Sequence, residues 1–169
     1  MNVTLRRATL DDVDFLVELI SDEDTRPFLG NRAADTHERA RADVERSQRE
    51  PDAYGWFVFE VDGERAGCVA FERVNERHRI AEGGRFAVHP RFRGRRIGVE
   101  AAREFQRLVL GELGFHRLEL KIYGFNTRAI AHAERSGYVR EGVQRRAYLK
   151  DGEWQDAVLF SLLQEDLDG

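Results

Sequence analysis

The sequence predicts an α/β domain built on a mixed sheet, and two observations carry that prediction. Helical and alternating apolar patterns interleave through the middle of the chain, while hairpin signals sit toward both ends. Those signals are Asp62-Gly63 and Asp151-Gly152, each set between two apolar runs. A chain of 169 residues fits one domain spanning 1–169 and buries a core without staples. No repeat, low-complexity tract or linker divides it.

The elements follow in order. Residues 3–7 alternate apolar and charged, as a half-buried first strand does. Thr9 can cap a helix that carries Val13, Leu16, Val17 and Ile20 on one face. Residues 36–50 are strongly charged with Ala40 and Val44 at helical spacing, and Pro51 ends this exposed helix. Strands at 55–61 and 66–74 flank Asp62-Gly63, and 86–88 belong to a fourth strand. A helix from about 96 to 113 buries Ile97, Ala101, Phe105, Leu108 and Val109 and stops at Gly114. A fifth strand alternates cleanly over 118–123. Asn126 or Thr127 caps a short helix with Ile130 and Ala133 inward and Gly137 as its stop. Strands at 143–149 and 154–162 close the chain around Asp151-Gly152.

Composition removes several function classes. Charged residues make up 34% and hydrophobic residues 41%, the balance of a globular protein in water. A net charge of −4 argues against general nucleic-acid binding, whose affinity rests on neutralising phosphates. Cys68, the single cysteine, excludes an internal disulfide and a cysteine-based metal cluster. No apolar run reaches membrane-spanning length and no signal-peptide core opens the chain, so the expected compartment is the cytoplasm. The histidines have no metal-ligand spacing, and no metal is expected.

One segment concentrates chemistry. Phe86-Ala87-Val88-His89-Pro90 ends an apolar run at a proline, and Arg91-Phe92-Arg93-Gly94-Arg95-Arg96-Ile97-Gly98 then opens into an amphipathic helix. Strand, cationic glycine loop and helix N-terminus together bring free N–H groups, a positive helix end and guanidinium groups to one point. A bound phosphate or diphosphate needs that set. The loop is neither GxxxxGK[ST] nor GxGxxG.

The loop resembles motif A of the GNAT superfamily of acyl-CoA N-acyltransferases, (Q/R)xxGx(G/A), with Arg93 at the first position and Gly98 at the last. Asn126-Thr127-Arg128-Ala129-Ile130, with Ser136-Gly137-Tyr138 and Glu141-Gly142, resembles the second conserved block of that family. The tail from Tyr148 through Asp156, and the opening Leu5-Arg6-Arg7-Ala8-Thr9, are similar to the RimJ/RimL branch. The resemblance implies a GNAT-type mixed, mostly antiparallel central sheet of about seven strands, splayed between strands 4 and 5, with helices on both faces. It also implies acetyl-CoA as co-substrate in the splay. Backbone groups of Phe86, Ala87 and Val88 would then meet the pantetheine arm, amides of Arg93, Gly94, Arg95, Arg96, Ile97 and Gly98 the diphosphate, and Asn126 the arm from the other wall.

Two positions depart from the pattern. Arg96 stands where motif A has its central glycine, with its guanidinium either replacing the lost contact or turned outward. Ala133 stands where many relatives carry the tyrosine that protonates the departing thiolate. Tyr148 is the candidate proton donor in its place, against the reading of a buried strand tyrosine.

The implied reaction is direct attack of an amine on the thioester. Glu82 is the candidate base, against the reading of an exposed glutamate at the strand entry, with a bulge at Gly83-Gly84 absorbing one extra residue before Pro90. A main-chain N–H near Val88 is expected to meet the oxyanion. Asp156, with Glu153 and Glu141 beside it, is the candidate to steer a cationic acceptor. His89 and Cys68 are expected to be structural. The acceptor is a protein N-terminal α-amine or a small amine such as a polyamine or aminoglycoside. A CoA-binding sensor without turnover is the alternative. Exposed Trp or Phe on the last strands would support a homodimer.

Overall fold

The computed structural model describes residues 1–21 and 37–168. Among them the strands are β1 (Val3–Arg7), β2 (Tyr54–Val61), β3 (Glu64–Asn75), β4 (Ile80–Val88), β5 (Arg117–Tyr123), β6 (Val139–Lys150) and β7 (Glu153–Leu163). The α-helices are α1 (Val13–Ser21), α2 (His37–Arg49), α3 (Ile97–Gln106) and α4 (Thr127–Arg135). Thr36, the expected start of the charged helix, lies outside the described residues.

All seven strands join one sheet in the order β1-β2-β3-β4-β5-β7-β6. Every neighbouring pair is antiparallel except β4–β5. That mixed, mostly antiparallel sheet is the one expected. The fourth strand is longer than its 86–88 signal, because Gly83 and Gly84 hide its N-terminal half from a period-two reading. α3 starts one residue later than expected and passes into a π-helical stretch over Arg107–Glu112.

Two helix layers sandwich the sheet. Leu16, Leu19 and Ile20 of α1 and Ala40 and Val44 of α2 pack with Trp56, Val58, Cys68 and Ala87. Phe105 of α3 and Ala133 of α4 pack on the opposite face with Phe57, Phe71, Leu118 and Phe160. Beyond α2, the first face bears a polar row at one register: Tyr54 opposite Glu72, Glu72 opposite Glu82, and Glu82 opposite Glu119.

The N-terminal strands are tied by one fully buried carboxylate. Asp12 accepts from Arg6 at 2.7 and 2.8 Å, from Arg65 Nε at 2.9 Å and from the Thr9 N–H at 2.8 Å. Burial pushes its pKa upward, but the Arg6 and Thr9 hydrogen bonds and the charges of Arg6 and Arg65 outweigh burial and bring it down to about 2. A folded pKa below the unfolded value of ~3.9 gives stability that is present above that value and lost as pH falls toward the folded one. Asp12→Asn should lower the unfolding free energy at pH 7 by about 2–4 kcal/mol, since it leaves two cations underpaired. In chemical denaturation the gap to wild type should shrink between about pH 4 and pH 2.

Candidate active site

The site grows from a break in the sheet. β4 and β5 pair only at Ile80–Arg117, Ala81–Leu118 and Glu82–Glu119, then diverge. Each keeps its outer partner, β4 with β3 and β5 with β7. A cleft of about 1310 Å³ opens between them, running from the 93–98 loop and α4 on one face to α2 and Tyr54, Glu72 and Glu82 of the polar row on the other. That volume exceeds the roughly 300–1,000 Å³ of ordinary ligand pockets and suits an elongated ligand.

The wall of β4 is shaped by a bulge. Its register against β3 shifts by one residue between Ala70–Gly84 and Cys68–Ala87, so Arg85 and Phe86 share one partner. Arg85 adopts φ 49°, in the left-handed region. The expected bulge at Gly83-Gly84 is corrected by this. Both glycines stay in register, and a Cβ on Gly83 would come within 2.9 Å of Leu120 Cδ2, so close packing explains that glycine. The bulge also resets alternation. Ala81 and Gly83 face α3, and simple alternation would send Arg85 there too. Instead its guanidinium reaches Asp43 and Tyr54, Phe86 turns to His132, and Ala87 returns to the α1–α2 side.

Past the bulge, His89 N–H donates to the Ala66 carbonyl at 2.7 Å. The Gly67–Val88 pair next to it is therefore one that exchanges no ladder bonds, and the Val88 N–H and C=O point into the splay. The Val88 carbonyl also accepts from Arg93 Nε at 3.1 Å, which folds the loop back onto the strand end. Within the loop, Gly94 has φ 81° and Arg96 has φ 62° and ψ 9°. Arg96 thus adopts the left-handed backbone that glycine takes freely, at a cost of about 1–2 kcal/mol for a residue bearing Cβ. Successive N–H groups at such a turn, ahead of α3, form an anion-binding concavity.

Of the expected binding residues, Phe86, Ala87, Val88, Arg93, Gly94, Arg96, Ile97, Gly98 and Asn126 line the cleft. Arg95 does not; its guanidinium lies 5.9 Å from the Phe92 ring centroid. Asn126 caps α4, its Oδ1 accepting the Ala129 N–H at 3.1 Å.

Glu82 belongs to β4 itself rather than preceding it, at the last paired position before the splay. Burial raises its pKa, Lys121 opposes the shift, and Glu119 and Glu72 add to it. Lys121 Nζ lies 4.0 Å from Glu82 Oε2. Tyr148 lines the same cleft, edge-on to Tyr123 at 5.5 Å. Burial raises its pKa, and the charges of Glu82 and Tyr123 add to the shift. Asp156 lies outside the cleft, and its Oδ1 accepts the Arg146 N–H at 2.8 Å across the irregular middle of β6. Glu141 is paired with Arg117. Among the described residues no group of three or more His, Cys, Asp or Glu is placed to hold a metal ion.

Sequence reasoning missed Arg85, Asp43 and Tyr54, and set His132 aside because a helix turns it about 100° from the Ala133 position. The extra residue between Glu82 and Pro90 signalled a bulge, but nothing local to β4 tells that its partner Asp43 is 42 positions away. His132 is pressed against Phe86 with centroids 4.7 Å apart, and burial lowers its pKa against the opposing backbone of Gly98.

Four similarities to known proteins bear on this geometry. The acetyltransferase (GNAT) domain family matches residues 2–139. Spermidine N(1)-acetyltransferase of Escherichia coli is 28% identical over 108 residues, 64% of this chain, and the match spans 58% of that protein's length. An uncharacterized N-acetyltransferase from the SPbeta prophage of Bacillus subtilis is 24% identical over 99% of this chain and 93% of its own. The crystal structure of spermidine N-acetyltransferase from Vibrio cholerae with CoA and spermine superposes with a TM-score of 0.87 at 20% identity, over 99% of this chain and 98% of that one.

Arg96→Gly should relieve the left-handed strain. The unfolded chain gains freedom worth about 0.4–1 kcal/mol, which offsets part of the relief. Denaturation should therefore show a net gain between zero and about 1.6 kcal/mol.

Proposed function

Because the chain belongs to the GNAT acetyltransferase family, as the match over residues 2–139 establishes, we propose that it transfers the acetyl group of acetyl-CoA to a primary amine, and that the amine is a polyamine. The observation that carries the reading is the splay itself. The Val88 N–H and C=O point into it and can pair with amides of an extended arm as a new strand would. The 93–98 loop sits at one end with its concave backbone and cationic side chains, where a diphosphate seats. Acetyl-CoA supplies the thioester; the residues of the chain bind, orient and move protons.

An arm anchored at the loop and threaded through the splay delivers its thioester to the opposite face, where Glu82 and Tyr148 stand. Glu82 takes the ammonium proton there, directly or through a water, and its raised pKa brings it nearer the working range of a base. A polyamine is favoured over other amines by Glu72 and Glu82, opposite each other on adjacent strands and both lining the cleft, and the spermidine-acetylating relatives point the same way. Asp156 is a positioning group for β6 in this scheme rather than an acceptor contact. A protein N-terminal α-amine, the RimJ/RimL-type acceptor, is the competing substrate. The exposed Trp154, opposite Leu149 on the β6–β7 edge, supports a homodimer, and a cytoplasmic location completes the proposal.

Release of free CoA, followed over spermidine, spermine, an aminoglycoside and an N-terminal peptide, tests the acceptor. Polyamine kcat/KM should exceed that of the peptide at least about tenfold; preference for the peptide would reverse the assignment. Glu82→Gln should lower kcat with spermidine by about 10²–10⁴-fold while acetyl-CoA binding holds. The variant should also lose the acid limb of the pH profile, which in wild type lies above the usual glutamate range because Glu82 must be ionised to act.

A further inference from the structure

We propose that Arg85 is a positioning residue that clasps the β4 bulge to α2 and β2, so that the backbone facing the thioester and the acceptor side of the cleft are held as one body. The proposal rests on the acetyl-transfer reading for its kinetic consequence and on geometry alone for the clasp.

Four contacts converge on this residue. Its Nη2 donates to Asp43 Oδ2 at 2.9 Å and its Nη1 to the Tyr54 hydroxyl at 3.0 Å. Its guanidinium lies 4.5 Å from the Trp56 ring centroid, and the Cys68 thiol donates to its carbonyl at 3.2 Å. Arg85 and Asp43 side chains are only 14% and 12% exposed, so the pair is shielded from water and from salt. The thiol contact has a specific reason. A bulge takes a residue out of the ladder, and the carbonyl it removes must find another donor.

The clasp spans the site. Asp43 comes from α2, Tyr54 from β2 and Arg85 from β4, and all three line the cleft. Asp43 is itself approached by Arg39 Nε at 3.7 Å from Oδ1, and the Arg46 guanidinium covers the Tyr54 ring at 4.5 Å, so the anchor is fixed from behind. Arg85 has a left-handed backbone and a Cβ, a conformation that persists only where its surroundings impose it. Releasing the guanidinium frees the backbone to return to the extended region. Phe86 would then lose its bearing on His132, and the backbone of residues 85–87 its fixed path. Val88 beyond them is held separately, by the neighbouring His89–Ala66 hydrogen bond and by Arg93, so ligand binding at the loop end is insulated from this change.

Lysine keeps the charge but cannot reach Asp43 and Tyr54 with a planar fork. In Arg85→Lys and in Asp43→Asn, amide hydrogen exchange at residues 85–87 should accelerate at least tenfold, while exchange in β7 stays as in wild type. Spermidine kcat should fall at least tenfold, with the acetyl-CoA Kd within threefold. The double variant should cost no more than the worse single one, as a shared contact requires. Unchanged exchange, or unchanged kcat in a variant with wild-type β7 protection, overturns the clasp. A wild-type protein that releases no CoA with any amine overturns the acetyl-transfer reading instead, and the exchange measurement still decides whether Arg85 holds the bulge.

Discussion

The site depends on a sheet that is continuous at one end and divided at the other. β4 and β5 share only three register pairs, yet each is held along its far edge by an antiparallel partner. The two halves therefore stay in place when the strands part. Parting exposes main-chain N–H and C=O groups inside a cleft, and such groups demand partners. A ligand with its own amides meets that demand, which makes the break a binding device.

Two cationic residues, Arg85 and Arg96, sit in left-handed backbone at the walls of this cleft. They solve different problems. Arg96 heads α3, and its left-handed backbone shapes the 93–98 loop at the expense of local strain. Arg85 re-aims β4, and its side chain supplies the tether that the strained backbone requires. Strain at both points is tolerated because rigid elements flank them: β3 pairing and the Phe59–Phe86 stack on one side, and the buried Ile97 and Ala101 of α3 on the other.

Much of this was legible in the chain. The hairpins at Asp62-Gly63 and Asp151-Gly152, the capping role of Asn126 and the loop at Arg93 to Gly98 each follow from local chemistry, and each lies where that chemistry puts it. The N-terminal half of β4 was illegible because Gly83 and Gly84 carry no side chain to alternate. The bulge sits away from its expected place for the same reason: glycines invite it, but tertiary partners decide it. Asp156 is exposed, as a carboxylate past a hairpin is expected to be, and the N–H it accepts from Arg146, ten positions away on β6, leaves no local trace. Contacts across 42 positions, such as Arg85 with Asp43, leave no local trace.

The departure at Ala133 fixes which proton matters most. That residue is fully buried and carries no acid, and His132 beside it is pressed into Phe86 with its pKa lowered by burial, so it is a weak proton reservoir. Charge balance shows why the site tolerates this. At pH 7 a departing thiolate, with the ~8.5 pKa of an ordinary thiol, lies about 1.5 units from neutrality, on the order of 2 kcal/mol. An acceptor ammonium, with the ~10.4 pKa of an ordinary alkylamine such as lysine, lies about 3.4 units away, on the order of 5 kcal/mol. Taking the proton from the amine is the steeper demand, and in the proposed reaction it falls to the carboxylate of Glu82. Glu82 stands at the fork of the strands with Glu72 and Glu119 on either side, each favouring a proton's arrival. A site of this build tolerates the loss of an acid at position 133 at smaller cost than the loss of its base.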